Sequence, residues 1–216
     1  MTTIESAPEM LAVQGEPLAA APDEAPAVGN PALIGVPTFL VGSVALALVL
    51  TGYVPAAATG ASIPIILAAT GIGQLVAATW AANLAQNAVA AIFGIFSGFW
   101  FSYAALVLGL TNNWFGITPE DAVGTQKLFL LSWLAMIVLL TVASLRLPLA
   151  FTLLFILIDL ALLFVFLGTA NASETQTHIG GYLVFSFALV GAYLFVDAMN
   201  AATGGSNLPL GRPLVR

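Results

Sequence analysis

The hydrophobic positions of this chain fall into six long blocks, separated by short stretches that are polar or rich in Gly and Pro. Each block is close to the about 20 residues that one helix needs to cross a hydrocarbon core about 30 Å thick. The pattern therefore predicts an all-α polytopic membrane protein, a bundle of six transmembrane helices. The predicted helices are residues 32–53, 63–84, 88–110, 127–145, 147–168 and 179–199.

The composition indicates the same class of protein. Only 6% of the residues are charged and 60% are hydrophobic, whereas about a quarter of an average soluble chain is charged. No charged residue lies between Ala25 and Pro119, a stretch too long for a single crossing of the bilayer. Closed β-barrels also span membranes, but these blocks lack the period-two alternation of barrel strands. Helices are therefore favoured.

The two ends of the chain differ from its middle. Half of the ten acidic residues lie in the first 29 residues, mixed with Ala, Pro and Gly and without a base. This composition predicts a disordered acidic tail over residues 1–29. It lacks the basic start and early apolar run of a signal peptide, so we expect the tail to be retained. Residues 30–199 then form the transmembrane domain, and residues 200–216 form a C-terminal tail.

The four basic residues predict an orientation. In a six-helix topology Arg146, Arg212 and Arg216 lie on the same side as both termini, and Lys127 lies on the other side. Loops rich in Lys and Arg stay in the cytoplasm. We therefore expect a multi-pass protein of the cell membrane with both termini cytoplasmic.

Several classes of function are disfavoured by what the chain lacks. It has no cysteine and one histidine, which argues against a disulfide framework, a thiolate metal site or a haem ligated on both faces. We expect no cofactor and no metal. A net charge of −6 argues against nucleic acid as a partner. An enzyme is the least expected class, because the sequence has no paired catalytic carboxylates in a loop and no phosphate-binding glycine loop.

Two polar residues stand out inside the apolar blocks. Asp159 lies near the centre of the fifth block and is the only acid at mid-bilayer depth, where a charge costs about 2.5–3.5 kcal/mol. Either it is a proton-linked or pore-lining carboxyl, or it is a neutral side chain that bonds a neighbouring helix. Gln74 is central in the second block. It could bond Asp159, line a path, or join two helices.

Four segments carry a resemblance to a known family. They are Asn30 to Val36 (NPALIGV) with Phe39 close behind, Gly71-Ile72-Gly73-Gln74, the aromatic stretch from Phe93 to Trp100, and Leu208-Pro209-Leu210-Gly211. In this order and spacing they resemble the NPAPLGL signature, glycine-rich stretch, aromatic segment and C-terminal LPLG of the acetate uptake transporter family. This is the YaaH or SatP group of bacterial acetate and succinate transporters. The resemblance covers about residues 30–212.

The resemblance implies an assembly and a constriction. Family members are hexamers of six-helix subunits in the lipid bilayer, and each subunit has its own pore for a small monocarboxylate. A Phe, a Tyr and a Leu from the first, third and fifth helices narrow that pore. By position they correspond to Phe39, Phe96 and Ile158, with Ile156 as the rival of Ile158. Phe96 lacks the tyrosine hydroxyl, so this constriction would be drier and would suit gating by dewetting.

The expected function is membrane transport of an acetate-like acid, or of succinate, with proton coupling left open. Without a cation inside the membrane, the anion needs polar donors near the constriction, or it crosses with a proton. The candidate donors are Asn30, Thr38, Gln74, Gln86, Asn87 and Ser97. Asp159 is the candidate proton site. The alternatives are a channel for a small neutral solute and a structural subunit of a larger membrane assembly.

Overall fold

The computed structural model describes residues 29–215, so the predicted acidic tail lies outside the described residues except for Gly29. Over this range the chain is helical and contains no strand. Six of the described helices are long and apolar enough to cross a membrane. The predicted all-α fold with six transmembrane helices is confirmed for this part of the chain.

The helices are named in chain order. They are α1 (Ala32–Leu50), α2 (Gly60–Asn83), α3 (Asn87–Thr111), α4 (Ala122–Ala143), α5 (Leu149–Asn171) and α6 (Glu174–Ala202). The fourth and sixth begin earlier than the apolar blocks at 127 and 179, because each continues back through residues that precede its block, including Gln126 in α4 and the polar turn of residues 174–177 in α6. Ser173 caps α6 by accepting a hydrogen bond from the Gln176 backbone N–H, which stabilises that polar turn. Hydropathy marks the membrane boundary, whereas hydrogen bonding sets where the helix begins.

The six helices form a closed ring. Each packs against its neighbours in sequence, and α6 returns to pack against α1. The packing is most extensive between α5 and α6, while α3 and α4 contact each other only sparsely. The approach of α1 to α2 depends on Gly42, where an added Cβ would lie 2.3 Å from Thr70 Oγ1. Small residues allow this close backbone approach where no hydrophobic force drives helices together.

The second helix has an irregular middle. Residues Ile66–Gly71 form a π-helical turn immediately before the regular segment that contains Gln74. The hydroxyl of Ser97 on α3 donates a 3.0 Å hydrogen bond to the Gly71 carbonyl at the end of this turn. Turns of this kind are rare and occur frequently at functional sites.

The end of the chain is fixed against the bundle. The Leu208 N–H donates to Asp197 Oδ1 of α6 at 2.6 Å, and the Ala150 N–H of α5 donates to the Leu210 carbonyl at 3.0 Å. Further along, the Leu214 N–H donates to the Leu145 carbonyl at 3.1 Å. We call residues 207–215 the C-terminal strap. It lies across the ends of the last three helices, on the side where α1 begins.

Candidate functional site

Phe39 of α1 and Phe96 of α3 meet inside the ring. Their ring centroids lie 5.1 Å apart with an edge-on geometry, one of the preferred arrangements of aromatic pairs. Ile158 of α5 belongs to the same buried cluster and is 5% exposed, whereas its rival Ile156 is 40% exposed on the outside of the bundle. We call Phe39, Phe96 and Ile158 the collar.

Further aromatic side chains surround the collar. Sequence reasoning did not single out these side chains for the site. Phe155 of α5 stacks on Phe96 at 6.1 Å, and Phe187 of α6 lies 5.6 Å from Phe39. Phe155 precedes Ile158 by three positions, so the helical spacing offered a signal that both share a face. Nothing comparable in the sequence points to Phe187.

Two cavities lie on either side of the collar. One has a volume of about 430 Å³ and the other about 270 Å³. Phe39 and Phe96 line both cavities, whereas Ile158 lines only the larger and Phe155 only the smaller. The two phenylalanine rings therefore stand between the cavities.

The larger cavity runs along the sparse seam between α3 and α4. Its walls are mainly aliphatic and aromatic. Its polar residues are Tyr103, Thr111, Gln126, Thr169 and Thr177. All of them lie near helix ends except Tyr103 of α3.

The smaller cavity lies on the side of the C-terminal strap, and its largely apolar wall also contains polar side chains. Its polar lining residues are Asn30, Gln74, Asp197 and Asn207. Asn207 belongs to the strap, and Asp197 holds the strap through the Leu208 N–H. Sequence reasoning did not assign either residue to the site. No Lys, Arg or His is found among the described residues that line the two cavities.

Two of the predicted polar residues line the smaller cavity. Asn30 Oδ1 accepts a 3.1 Å hydrogen bond from the Ala32 N–H, which leaves the amide group of Asn30 as a donor. Gln74 is fully buried, and its Nε2 donates to the Gly35 carbonyl of α1. It therefore joins α1 to α2 and does not bond Asp159.

The other predicted donors are bonded to backbone or exposed, and they line neither cavity. Gln86 Nε2 donates to the Gly29 carbonyl at 3.1 Å, and the Ser97 hydroxyl donates to Gly71. The Thr38 hydroxyl donates to the Ile34 carbonyl of its own helix at 2.8 Å. Asn87 is exposed at the start of α3.

Asp159 lies at the contact between α4 and α5. Its Oδ2 accepts a 2.7 Å hydrogen bond from the Thr141 hydroxyl of α4. Asp159 is half-buried and does not line either cavity. This geometry is that of a polar pair between neighbouring helices.

Comparison with known proteins adds three findings. A sequence model of the GPR1/FUN34/yaaH family matches residues 13–206. The chain is 30% identical over 127 residues to the meiotically up-regulated gene 86 protein of Schizosaccharomyces pombe, which covers 54% of this chain and 40% of that protein. The match thus spans less than half the length of that relative. The solved structure of the bacterial acetate channel SatP is similar with a TM-score of 0.75 and 19% identity, covering 85% of this chain and 99% of that one. At this identity the likeness shows a shared fold.

Proposed function

The chain belongs to the GPR1/FUN34/yaaH family, and from that premise we propose that it carries a small monocarboxylate of the acetate class across a membrane. The path runs through each subunit, between the two cavities and past the collar. The name of the similar acetate channel supports this substrate class. Succinate is a second candidate substrate, through the resemblance to the acetate and succinate transporters.

One observation supports this path most directly: Phe39 and Phe96 line both cavities. Cavities that share two apolar residues are separated by a thin barrier, and hydrophobic constrictions of this kind gate by excluding water. A shift of the two rings would join the cavities. We propose that Ile158 completes the constriction from α5.

The charge of the cavity walls bears on the form of the solute. Moving an ion into an apolar environment without a compensating charge is costly, and the described lining residues include no cation. The solute therefore passes the collar in a neutral form, as an acid with its proton. The same observation favours the second candidate function, a channel for a small neutral solute.

The smaller cavity is proposed as the side on which the solute is first held. The amide groups of Asn30 and Asn207 provide donors for a carboxylate or carboxylic acid, and Gln74 lies on the same wall. We assign Gln86, Asn87 and Ser97 a supporting role in helix packing. Asp159 with Thr141 is proposed as an interhelical polar pair, with a proton site at Asp159 as the alternative that a variant tests below.

The function is tested with the full chain in proteoliposomes. Uptake of labelled acetate and labelled acetamide is compared with uptake into empty liposomes. Faster acetate uptake that is lost in Phe39→Trp but kept in Phe129→Trp supports transport through the collar, since Phe129 lines only the larger cavity. Uptake of acetamide alone favours the neutral-solute channel. Absence of any flux, together with co-purified stoichiometric partners, favours a structural subunit of a larger assembly.

We also propose a place and an assembly for the protein, namely the cell membrane, both termini in the cytoplasm and a hexamer. Several large apolar side chains of α4 face outward, including Leu128 and Leu139, and they suit lipid or a neighbouring subunit. The chain has no cysteine, so a single Ser206→Cys variant reports the side of the strap to an impermeant thiol reagent. Mass measurement of the detergent-extracted protein tests the number of subunits.

A further inference from the structure

Two basic residues far apart in the sequence meet at one corner of the bundle, on the side where α1 begins. The N–H groups of Leu214 and Val215 both donate to the Leu145 carbonyl, at 3.1 and 3.0 Å. Arg146 follows Leu145 directly. Arg212 precedes Leu214 by two residues, which span at most about 7 Å. The strap therefore places Arg212 beside the turn that carries Arg146, and we call these two arginines the basic corner.

Within the described chain, one acidic residue lies on the same side of the bundle as the basic corner. This residue is Asp197, near the end of α6, and its Oδ1 already accepts the Leu208 N–H at 2.6 Å. Both arginines of the corner are exposed. Arg216 lies outside the described residues, and it adds a third positive charge to the end of the sequence. The guanidinium groups are thus available to an anion from outside the chain.

An apolar stripe on the outer face of α4 leads to the basic corner. Leu128, Leu131, Leu139 and Val142 are all exposed, and at about 100° per residue they lie within about 60° of one another around the helix. The stripe extends about 21 Å along α4, which exceeds half the thickness of a hydrocarbon core of about 30 Å. Arg146 follows Val142 by four residues, in the short turn that ends the helix. A lipid-facing stripe and a positive charge thus adjoin at the membrane boundary.

We propose that the basic corner and the apolar stripe bind one anionic phospholipid, whose phosphate bridges Arg146 and Arg212 and so holds the strap to the turn between α4 and α5. The planar guanidinium group suits phosphate oxygens, which it can bind through two parallel hydrogen bonds. The acyl chains lie along the stripe of α4. Basic residues at the membrane surface attract anionic lipids in general, and the bridge to the strap makes this site specific. Lipid binding here is independent of the solute that the protein carries.

The rival occupant is the acidic N-terminal segment of the same chain. It precedes α1 on the same side and carries five acidic residues without a base. A carboxylate matches the charge of the basic corner only, whereas a phospholipid matches the corner and the adjoining stripe together. The segment would also lose conformational entropy on docking, while lipid is already present at this depth. A phospholipid is therefore favoured over the segment.

The first experiment measures binding of phosphatidylglycerol to the full chain in neutral detergent, from the masses of intact protein–lipid complexes over a lipid titration. One Arg near the membrane surface contributes about a fivefold factor in affinity for anionic lipid. Arg146→Gln and Arg212→Gln should therefore each raise the Kd about fivefold, and Arg→Lys at either position should restore part of the affinity. Lys127→Gln is the matched control, because it removes the same charge at the opposite end of α4. Its Kd should equal that of wild type, and an equal Kd in wild type and both Gln variants of the corner would overturn the proposal.

Two further measurements identify the ligand. Inorganic phosphate at the concentration of the lipid should not displace phosphatidylglycerol, because it has no acyl chains to contact the stripe. Displacement would assign the basic corner to a free anion and contradict the proposal. Phosphatidylglycerol that binds only after the five acidic residues of the N-terminal segment are changed to amides would instead make that segment the occupant.

The second experiment tests the bridge to the strap through hydrogen exchange of the Leu214 amide, which bonds the Leu145 carbonyl. Adding phosphatidylglycerol to phosphatidylcholine bilayers should slow this exchange about fivefold in wild type and leave it unchanged in Arg212→Gln. The Thr177 amide at the opposite side, bonded to the Ser173 carbonyl, is the internal control and should not respond. The wild-type comparison needs no variant, so it tests the bridge even if a variant does not fold. Exchange at Leu214 that ignores bound phosphatidylglycerol would show that the lipid does not hold the strap.

Discussion

The two cavities on either side of the collar are built differently. The smaller one is lined by the first turns of α1, at Ala32 and Val36, and lies where the strap is bonded to Asp197. The larger one lies along the sparse seam between α3 and α4. The polar residues of the smaller cavity are three amides and a carboxyl group, whereas three of the five polar residues of the larger cavity are threonines.

The difference indicates that the two cavities have different roles in transport. Closely packed elements resist movement, so the smaller cavity has the fixed geometry that a binding site needs. Regions with few contacts open at a lower free-energy cost. We therefore expect movement that opens the collar to come from the α3 and α4 side, while α1 and α2 keep their arrangement.

Removing the two phenylalanine rings of the collar is expected to merge the two cavities and to cause the largest change in solute uptake. The double variant Phe39→Ala, Phe96→Ala joins the two cavities into one space. Lowering the free-energy barrier to passage of the solute by only about 1.4 kcal/mol raises the transport rate about tenfold. We expect acetate uptake to rise by at least about tenfold and benzoate to be admitted. Stability falls as well, since each buried Phe→Ala change costs about 3–5 kcal/mol. Phe129→Ala is the control, and a rise of the same size there would assign the effect to general loosening.

The next largest effect is expected from releasing the strap. This change concerns the smaller cavity and not the larger one. Asp197→Ala removes the acceptor of the Leu208 N–H, and a hydrogen bond to a charged group contributes about 1.5–3 kcal/mol. Hydrogen exchange of the Leu208 amide should accelerate about 10- to 100-fold. The Ala150 amide, bonded to Leu210, should accelerate with it if the strap opens as a unit. Exchange at Leu208 that does not change would show that Asp197 does not hold the strap.

The wall between α1 and α2 is tested by a pair of glycine variants. Gly42→Ala forces a Cβ against Thr70, and overpacking of this kind costs about 1–3 kcal/mol. Gly124→Ala on α4 is the matched control, because a Cβ there meets no described atom within 4 Å, and relief of glycine entropy adds up to about 1 kcal/mol. Thermal denaturation in detergent measures both. Equal melting temperatures would mean that the close approach is not required.

The smallest effect is expected for Asp159, which lines neither cavity. Asp159→Asn keeps an acceptor for the Thr141 hydroxyl, so we expect acetate uptake to match wild type at every pH. Thr141→Val removes the donor and should lower stability by about 1 kcal/mol without changing uptake. If Asp159→Asn alters the pH profile, the carboxyl takes part in proton transfer and the alternative role is supported.

Much of the fold could be predicted because the bilayer imposes it. Backbone groups in lipid must be paired within a helix or a closed barrel, so block length and hydropathy were sufficient for the six helices. The motifs around Asn30, Gln74 and Leu208 were sufficient for the family, which the match over residues 13–206 confirms. Helix starts were less predictable, as Ser173 shows, because a capping turn can lie outside the apolar block.

The site was harder to predict for a physical reason. In a soluble helix a polar face marks the outside, but a helix in lipid is apolar on its outer face as well. The chain has 14 Phe residues, and hydropathy does not distinguish Phe187 at the collar from an aromatic that faces lipid. The position of Phe39 and Phe96 was expected from the resemblance, whereas Phe155 and Phe187 were not singled out for the site.

The sequence by itself determined the class of protein, the number of helices and the family, because length, hydropathy and motif order are local properties of the chain. Only the tertiary structure decided which faces turn inward, which of Ile156 and Ile158 joins the collar, and which polar atoms are already bonded. Those outcomes depend on how helices far apart in sequence pack together. The pairing of Gln74 with Gly35 and the lone N–H of Trp100 are therefore visible only in the folded bundle.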